Sequence, residues 1–394
     1  MNYDLLFALV FYGILYLLFL KYKSRFDVQG KIFVMLRTKI GLKAMDRLAK
    51  KIPRTLSILT YVGVFICFVG MGFILYFLVN GTLDLIFKPD IIPVLSPVIP
   101  GVEIPGLPIV MSFWHWILGI LIIAAIHEFS HGVFARFAEI KIKSSGIAFL
   151  GPILAAFVEP DEKQMEKKTL KRQLGIMMAG PFSNFLTGIL FFLIWLFILT
   201  PVVSNMYDFN GVQVIEISQD LPIAKSGLVV GDEIISVDGV LVGNVVEFSQ
   251  SLDQKNPKDI ITIETLEGIR NVELVEKDGK ALMGIKVSYS QTKIKEGVNW
   301  LLAESCLWLR ELFFWLYAIS LGIGLFNLLP LGPLDGGKMF ILVINKYIKS
   351  EKIGKYIIKT INWFLLILIM VNLLPFVWKL ISWLFTGLLL IFGI

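Results

Sequence analysis

Apolar runs at residues 3–20, 55–79, 112–138, 173–200, 303–327 and 361–394 constrain this chain more than any other feature. A helix needs about 20 predominantly apolar residues to cross the hydrocarbon core of a bilayer. Each run meets or approaches that length. Only 17% of residues are charged and 56% are hydrophobic, whereas an ordinary soluble domain carries about 25% charged residues. The expected fold is a multi-span α-helical membrane protein with about six spans, and a seventh if the last run divides. Pro375 and Lys379 interrupt that run. It reads as two short spans, a hairpin or one kinked helix. The start, MNYDLLFALV, has no basic n-region and no small-residue cleavage site, so 3–20 reads as a retained span rather than a signal peptide.

The net charge of +6 does not point to nucleic acid. The basic residues cluster between Lys21 and Arg54 and between Lys338 and Lys359, and both clusters flank apolar runs. The positive-inside rule accounts for them as cytoplasmic loops facing anionic lipid. Alternation then places the N-terminus and 80–111 outside, 139–172 inside, 201–300 outside and 338–360 inside. The loop 139–172 agrees, with Lys141, Lys143, Lys163, Lys167, Lys168, Lys171 and Arg172. Cys67 and Cys306 have no CxxC spacing and suggest neither a disulfide framework nor a metal site.

Two segments differ from the spans. Residues 88–108 carry Pro89, Pro93, Pro97, Pro100, Pro105 and Pro108, which blocks helix and sheet ladders and predicts an extended outer connection. Residues 207–290 alternate apolar and polar positions, as in Val212–Ile217 and Ile260–Glu264. They read as strands of a compact α+β soluble module inserted between two spans.

The third apolar run holds His127-Glu128-Phe129-Ser130-His131. Two histidines four apart share one helix face and can share one zinc ion, and the adjoining glutamate is placed as the base for a metalloprotease. Buried in an apolar helix, three such polar groups would carry a desolvation cost with no return unless they serve a site. The orientation puts His127 and His131 in the cytoplasmic half of their span. His115 lies twelve residues before His127, about 18 Å along the helix, and cannot reach the same metal. It sits between Trp114 and Trp116 as part of an interfacial aromatic belt. A third ligand must come from another segment. Asp335, in Asn327-Leu-Leu-Pro-Leu-Gly-Pro-Leu-Asp335-Gly336-Gly337, is an acid at the cytoplasmic end of a span, at matching depth. Its alternative is a turn aspartate capping the next helix.

Ala179-Gly180-Pro181-Phe182-Ser183-Asn184 permits tight helix packing. The Asn184 amide serves that packing or hydrogen-bonds a substrate, and Asn327 has the same two readings. Ser145-Gly146 through Val158 is short, apolar and bounded by Gly and Pro. It suits a re-entrant β-hairpin lining a cavity, to which an unwound substrate could add as a strand; Gly146 belongs to this substrate-facing set.

Taken together, HEFSH, GPFSN and NLLPLGPLDGG, in that order over residues 112–345, resemble the site-2 protease family of intramembrane zinc metalloproteases. The inserted module, with Ser218 to Gly239, resembles a bacterial-type PDZ domain, and its placement is similar to members that cleave anti-sigma factors. The resemblance implies one Zn²⁺ held by His127, His131 and Asp335, with Glu128 as base. It implies transmembrane protein substrates cut within the bilayer. The PDZ-like domain would contact peptides, with Asn210-Gly211-Val212 standing in for a Gly-Leu-Gly-Phe loop, or would act as a size filter outside the membrane. The expected organisation is 1–111 as N-terminal spans, basic cytoplasmic loop and Pro-rich outer connection, and 112–200 as core helices with the hairpin. It continues with 207–290 as the PDZ-like domain, 301–345 as the helix with the aspartate, and 346–394 as C-terminal span or spans. The rival functions are a zinc transporter, which would move metal without cleaving peptide, and a PDZ-type scaffold with a structural metal.

Overall fold

The computed structural model describes residues 3–29, 33–88, 91–102, 110–150, 153–207, 212–218, 221–243, 245–253, 255–265, 267–277, 280–289 and 294–392. The chain divides into two compact units, 1–193 with 311–394, and 194–310.

The first unit begins with α1 (Tyr3–Lys21), followed by two short strands, β1 (Phe26–Gln29) and β2 (Phe33–Thr38). Gly41, at φ +83°, turns the chain into α2 (Leu42–Lys51), a conformation that glycine adopts without a Cβ penalty. Helix α3 (Pro53–Phe87) starts directly after. Its proline occupies the first turn, where a missing N–H breaks no helical bond. Helix α4 (Phe113–Phe137) is followed by β3 (Ile142–Leu150), β4 (Ile153–Pro160), the short α5 (Glu162–Glu166) and α6 (Leu170–Ile194).

The hairpin expected at 145–158 exists as β3–β4, but it does not stand alone. All four strands form one antiparallel sheet in the order β1-β2-β3-β4. The basic segment 21–54, expected only as a lipid-facing loop, therefore supplies half of a sheet. One guanidinium ties the strands together. Arg37 on β2 ion-pairs with Asp27 on β1 and Glu159 on β4, and donates to Ser144 Oγ on β3 at 3.1 Å.

In the second unit, a π-turn (Trp195–Leu199) and α7 (Thr200–Met206) precede β5 (Val212–Ile217), β6 (Glu233–Val237), β7 (Val240–Leu241) and α8 (Val245–Asp253). Then come β8 (Ile260–Thr265), β9 (Gly268–Glu273), β10 (Val275–Lys277), β11 (Lys280–Leu282) and β12 (Ile285–Tyr289). The main sheet runs β12-β5-β6-β8-β9, with β7 on β6. Its alternating positions Val212, Val214, Ile261 and Ile263 are buried with Phe248 of α8 and Met283. This is the α+β module expected from the alternation. Gly211, the proposed loop residue, lies outside the described residues.

Helix α9 (Trp300–Asn327) leads to α10 (Asp335–Tyr347) and α11 (Glu351–Phe392). The last apolar run is thus a single helix that contains Pro375. One proline removes one backbone hydrogen bond, and the helix continues through it. Among the described residues five helices are long and apolar enough to cross a membrane, at 53–87, 113–137, 170–206, 300–327 and 351–378, with 6–21 a shorter apolar helix. The described part of the Pro-rich connection, 91–102, forms neither helix nor strand. It is pinned by Trp116 Nε1, which donates to Val98 O at 2.9 Å, and by Val94 N, which donates to the buried Asn372 at 3.1 Å. The core of the first unit gathers Met45, Cys67, Met178, Leu328, Met339 and Leu365.

Candidate metal centre

Ser112 caps α4, accepting from His115 N, and its hydroxyl also meets His115 Nδ1 at 2.6 Å. His115 is therefore part of the helix start, far from His127 along the same helix. Near the other end, one turn of α4 brings His127 Nε2 and His131 Nε2 to 3.1 Å. Asp335 Oδ2 lies 3.1 Å from each of them. The three donor atoms make an equilateral triangle. A tetrahedral zinc with bonds of 2.0–2.1 Å has ligand–ligand edges of about 3.3–3.4 Å. Two imidazole nitrogens and one carboxylate oxygen at this spacing fit one zinc ion, with a fourth position left for water or substrate.

Local structure explains why the three atoms converge. His131 Nδ1–H donates to the carbonyl of Ile176 at 2.7 Å. That bond fixes the tautomer, leaves Nε2 unprotonated for metal and orients the ring. His127 Nδ1 is buried without a partner. Asp335 is the first residue of α10, preceded by Leu334 at the cap position, and its side chain makes no capping bond. The capping alternative is thereby excluded. Its second oxygen faces Lys338 Nζ at 3.7 Å.

The segment 328–334 folds back over α10 so closely that a Cβ at Gly336 would overlap the carbonyl of Leu328, and one at Gly337 that of Leu331. Asn362 Oδ1 of α11 accepts from Gly332 N at 3.0 Å and holds this segment from behind. Gly180 of α6 completes the enclosure. A Cβ there would overlap Nε2 of both histidines. Sequence reasoning marked Gly180 as a packing residue. It could not show that the surface packed against is the pair of imidazole nitrogens.

Glu128 stands on the flank of α4 that faces the sheet. Its Oε2 accepts from Val158 N of β4 at 3.0 Å. One ligand atom each of His127, Glu128 and His131 lie within 4.8 Å of one another, so Glu128 is within reach of the centre. Of the two acids, Asp335 fits the third donor position better than Glu128. Asp335 Oδ2 is equidistant from both imidazoles, whereas Glu128 is engaged by β4.

The remaining expected residues fall in different places. Asn184, one turn beyond Gly180 on α6, is fully buried, and neither its amide nitrogen nor its oxygen has a partner in the structure. Asn327 ends α9 half-buried, directly before the buried Leu328 and Leu329. Gly146 lies inside the sheet, paired with Arg37 of β2 and Phe157 of β4, and a Cβ there would overlap the Leu36 carbonyl. Its smallness serves strand pairing within the sheet and does not bring it to the centre.

The family model for peptidase family M50 matches residues 115–371, which covers every element of the centre. The chain belongs to peptidase family M50. Members are zinc metalloproteases of the site-2 protease kind, and zinc is the cofactor of this enzyme. An uncharacterized protein of Methanocaldococcus jannaschii is 30% identical over 78% of this chain and 76% of its own length. An inferred zinc metalloprotease of Clostridium perfringens is 23% identical over 68% of this chain and 93% of its own length. Among solved structures, the PDZ domain of the SdrC-like protein of Listeria monocytogenes is 27% identical, covering 20% of this chain and 88% of that one, with a TM-score of 0.19. The M50 enzyme is an integral membrane protein acting on protein substrates.

Proposed function

We propose that this M50 enzyme hydrolyses peptide bonds within or next to transmembrane segments of other membrane proteins. The observation that carries the reading is the triangle of His127, His131 and Asp335 on a helix that is itself apolar enough to cross a membrane. Zinc held by His127, His131 and Asp335 would supply Lewis-acid chemistry for the scissile carbonyl and for a water. Glu128 takes the proton of that water and delivers it to the leaving amine. The Val158 N–H holds one Glu128 oxygen and leaves the other for the proton.

A transmembrane helix must unwind before cleavage, because its carbonyls are already hydrogen-bonded. Strand β4 is the last in its sheet and offers backbone partners to an unwound segment. Val158 N points away from β3 toward Glu128. By the two-residue alternation of a strand, the N–H groups of Ala156 and Leu154 face the same edge. The buried, unpartnered Asn184 amide provides a further donor and acceptor for substrate backbone, with Asn327 on the approach from α9.

The charge pattern supports a centre toward the cytoplasmic side and the module at 207–290 outside. Asp4 Oδ1 accepts from Phe113 N at 3.0 Å. This places the starts of α1 and α4 at one end, in keeping with both helices running inward. The module contacts peptides or excludes substrates with bulky outer domains.

The test is Glu128→Gln in the full-length enzyme with a single-span substrate in detergent. Cleavage falls by about 10²–10⁴-fold while zinc content stays at the wild-type level. Undiminished cleavage overturns the mechanism, and zinc flux into liposomes without cleavage favours a transporter.

A further inference from the structure

The basic segment before α3 carries a second, independent feature. On α2, Met45 and Ala49 are buried, while Lys43, Arg47 and Lys50 recur on the opposite face at i, i+4 and i+7, all exposed. Lys51 adjoins that face, and Lys39 and Arg54 flank the helix, also exposed. The single acid of α2, Asp46, is taken by Arg136 of α4, with Oδ1 and Nε 2.9 Å apart. Among the described residues no ion pair engages any of these six basic side chains. The face therefore presents uncompensated positive charge.

Its place in the chain sets what it meets. Only Ile52 separates α2 from α3, a candidate span of 35 residues, so α2 lies at the boundary where the apolar helix leaves the bilayer. An amphipathic helix at that level ordinarily inserts its apolar face into lipid. Here that face is already used: Met45 packs over Gly132 of α4, where a Cβ would come within 2.5 Å of its sulfur. Insertion is ruled out and the outward charge remains.

We propose that the face formed by Lys43, Arg47, Lys50 and Lys51 docks the phosphate headgroups of anionic phospholipids in the bilayer that holds the enzyme. The attraction is electrostatic and does not depend on the protease reading. Each basic residue near an anionic surface adds roughly a fivefold preference.

The test is lipid retention. The full-length protein is reconstituted in phosphatidylcholine vesicles with one fifth phosphatidylglycerol and re-extracted in mild detergent, and its bound lipids are quantified. Wild type enriches phosphatidylglycerol over the bulk ratio, and Lys43→Gln/Arg47→Gln/Lys50→Gln loses this enrichment by at least about tenfold. The exposed lysines of the other basic cluster, which are not all gathered on one helix face beside a span, give the comparison, and Lys349→Gln/Lys352→Gln/Lys359→Gln loses clearly less of the enrichment. Should the first variant fail to fold, wild type in about 0.5 M salt decides, since screening there removes the enrichment. No enrichment in wild type, equal loss in both variants, or retention at high salt overturns the proposal.

Discussion

The two flanks of α4 are built on different terms. Toward α6, contact is made at a glycine with no slack, Gly180 against both imidazoles, and the segment that carries Asp335 is held the same way, with Gly336 and Gly337 against the Leu328 and Leu331 carbonyls. Toward α2 and the sheet, contact is made by side chains that can shift, such as the Met45 thioether, the Arg136–Asp46 pair and the Glu128 carboxylate on Val158. The difference follows from what each flank must hold. Donor edges near 3 Å tolerate errors of only tenths of an ångström. In the proposed mechanism a general base and an edge strand tolerate more, since both adapt when substrate arrives.

Substitutions sharpen this contrast in a graded order. Asp335→Ala removes one corner of the triangle and lowers zinc affinity by more than about 100-fold, beyond the loss typical of an outer partner, read by metal content after dialysis. Gly180→Ala adds one carbon against the ligand atoms and lowers zinc retention or activity by about 10–100-fold. A wild-type zinc load with full activity in that variant would break the claim that this flank has no slack.

Arg37→Gln removes the guanidinium that joins four strands. Because Arg37 is partly exposed, with a side chain 38% accessible, the stability change stays under about 1 kcal/mol, and peptide cleavage drops less than tenfold. The smallest effect concerns pH. The Ser144 hydroxyl, against the opposing effect of burial and together with Arg37, holds the Glu159 carboxyl below the usual carboxylate range. A depressed carboxyl contributes above its unfolded value of about 4.3 and loses that contribution as pH falls through the folded value. Wild type and Glu159→Gln should thus differ in thermal unfolding at neutral pH and converge below about pH 4.

What could be read from sequence divides along similar lines. HEFSH and Asp335 stand out in the sequence because zinc chemistry favours particular side chains and a helix fixes the spacing of two of them, and the structure brings their donor atoms together. The strands at 26–38 do not stand out. They are four and six residues long and lie within a dense basic run, and β2 reaches the rest of the sheet through β3, which follows only after two spans. Thr38 of β2, for example, bonds Ser145 across 107 residues of sequence. Pro375 was weighed as a break because proline usually ends a helix, but the local pattern does not reveal that apolar residues on both sides continue one helix. Gly146 reads as substrate-facing because it lies in a short Gly- and Pro-bounded hairpin suited to lining a cavity, although sequence does not say which strand lies beside it.

The triangle also has a consequence in time. His127 and Asp335 are separated by 208 residues, so the third donor does not exist when the first two enter the membrane. At ordinary synthesis speeds the interval is about 10–40 s. During that interval the nascent chain passes its own unfolded spans, and those of its neighbours, with an incomplete centre. On the proposed donor set, the protease gains its centre only after its last ligand-bearing segment has been made.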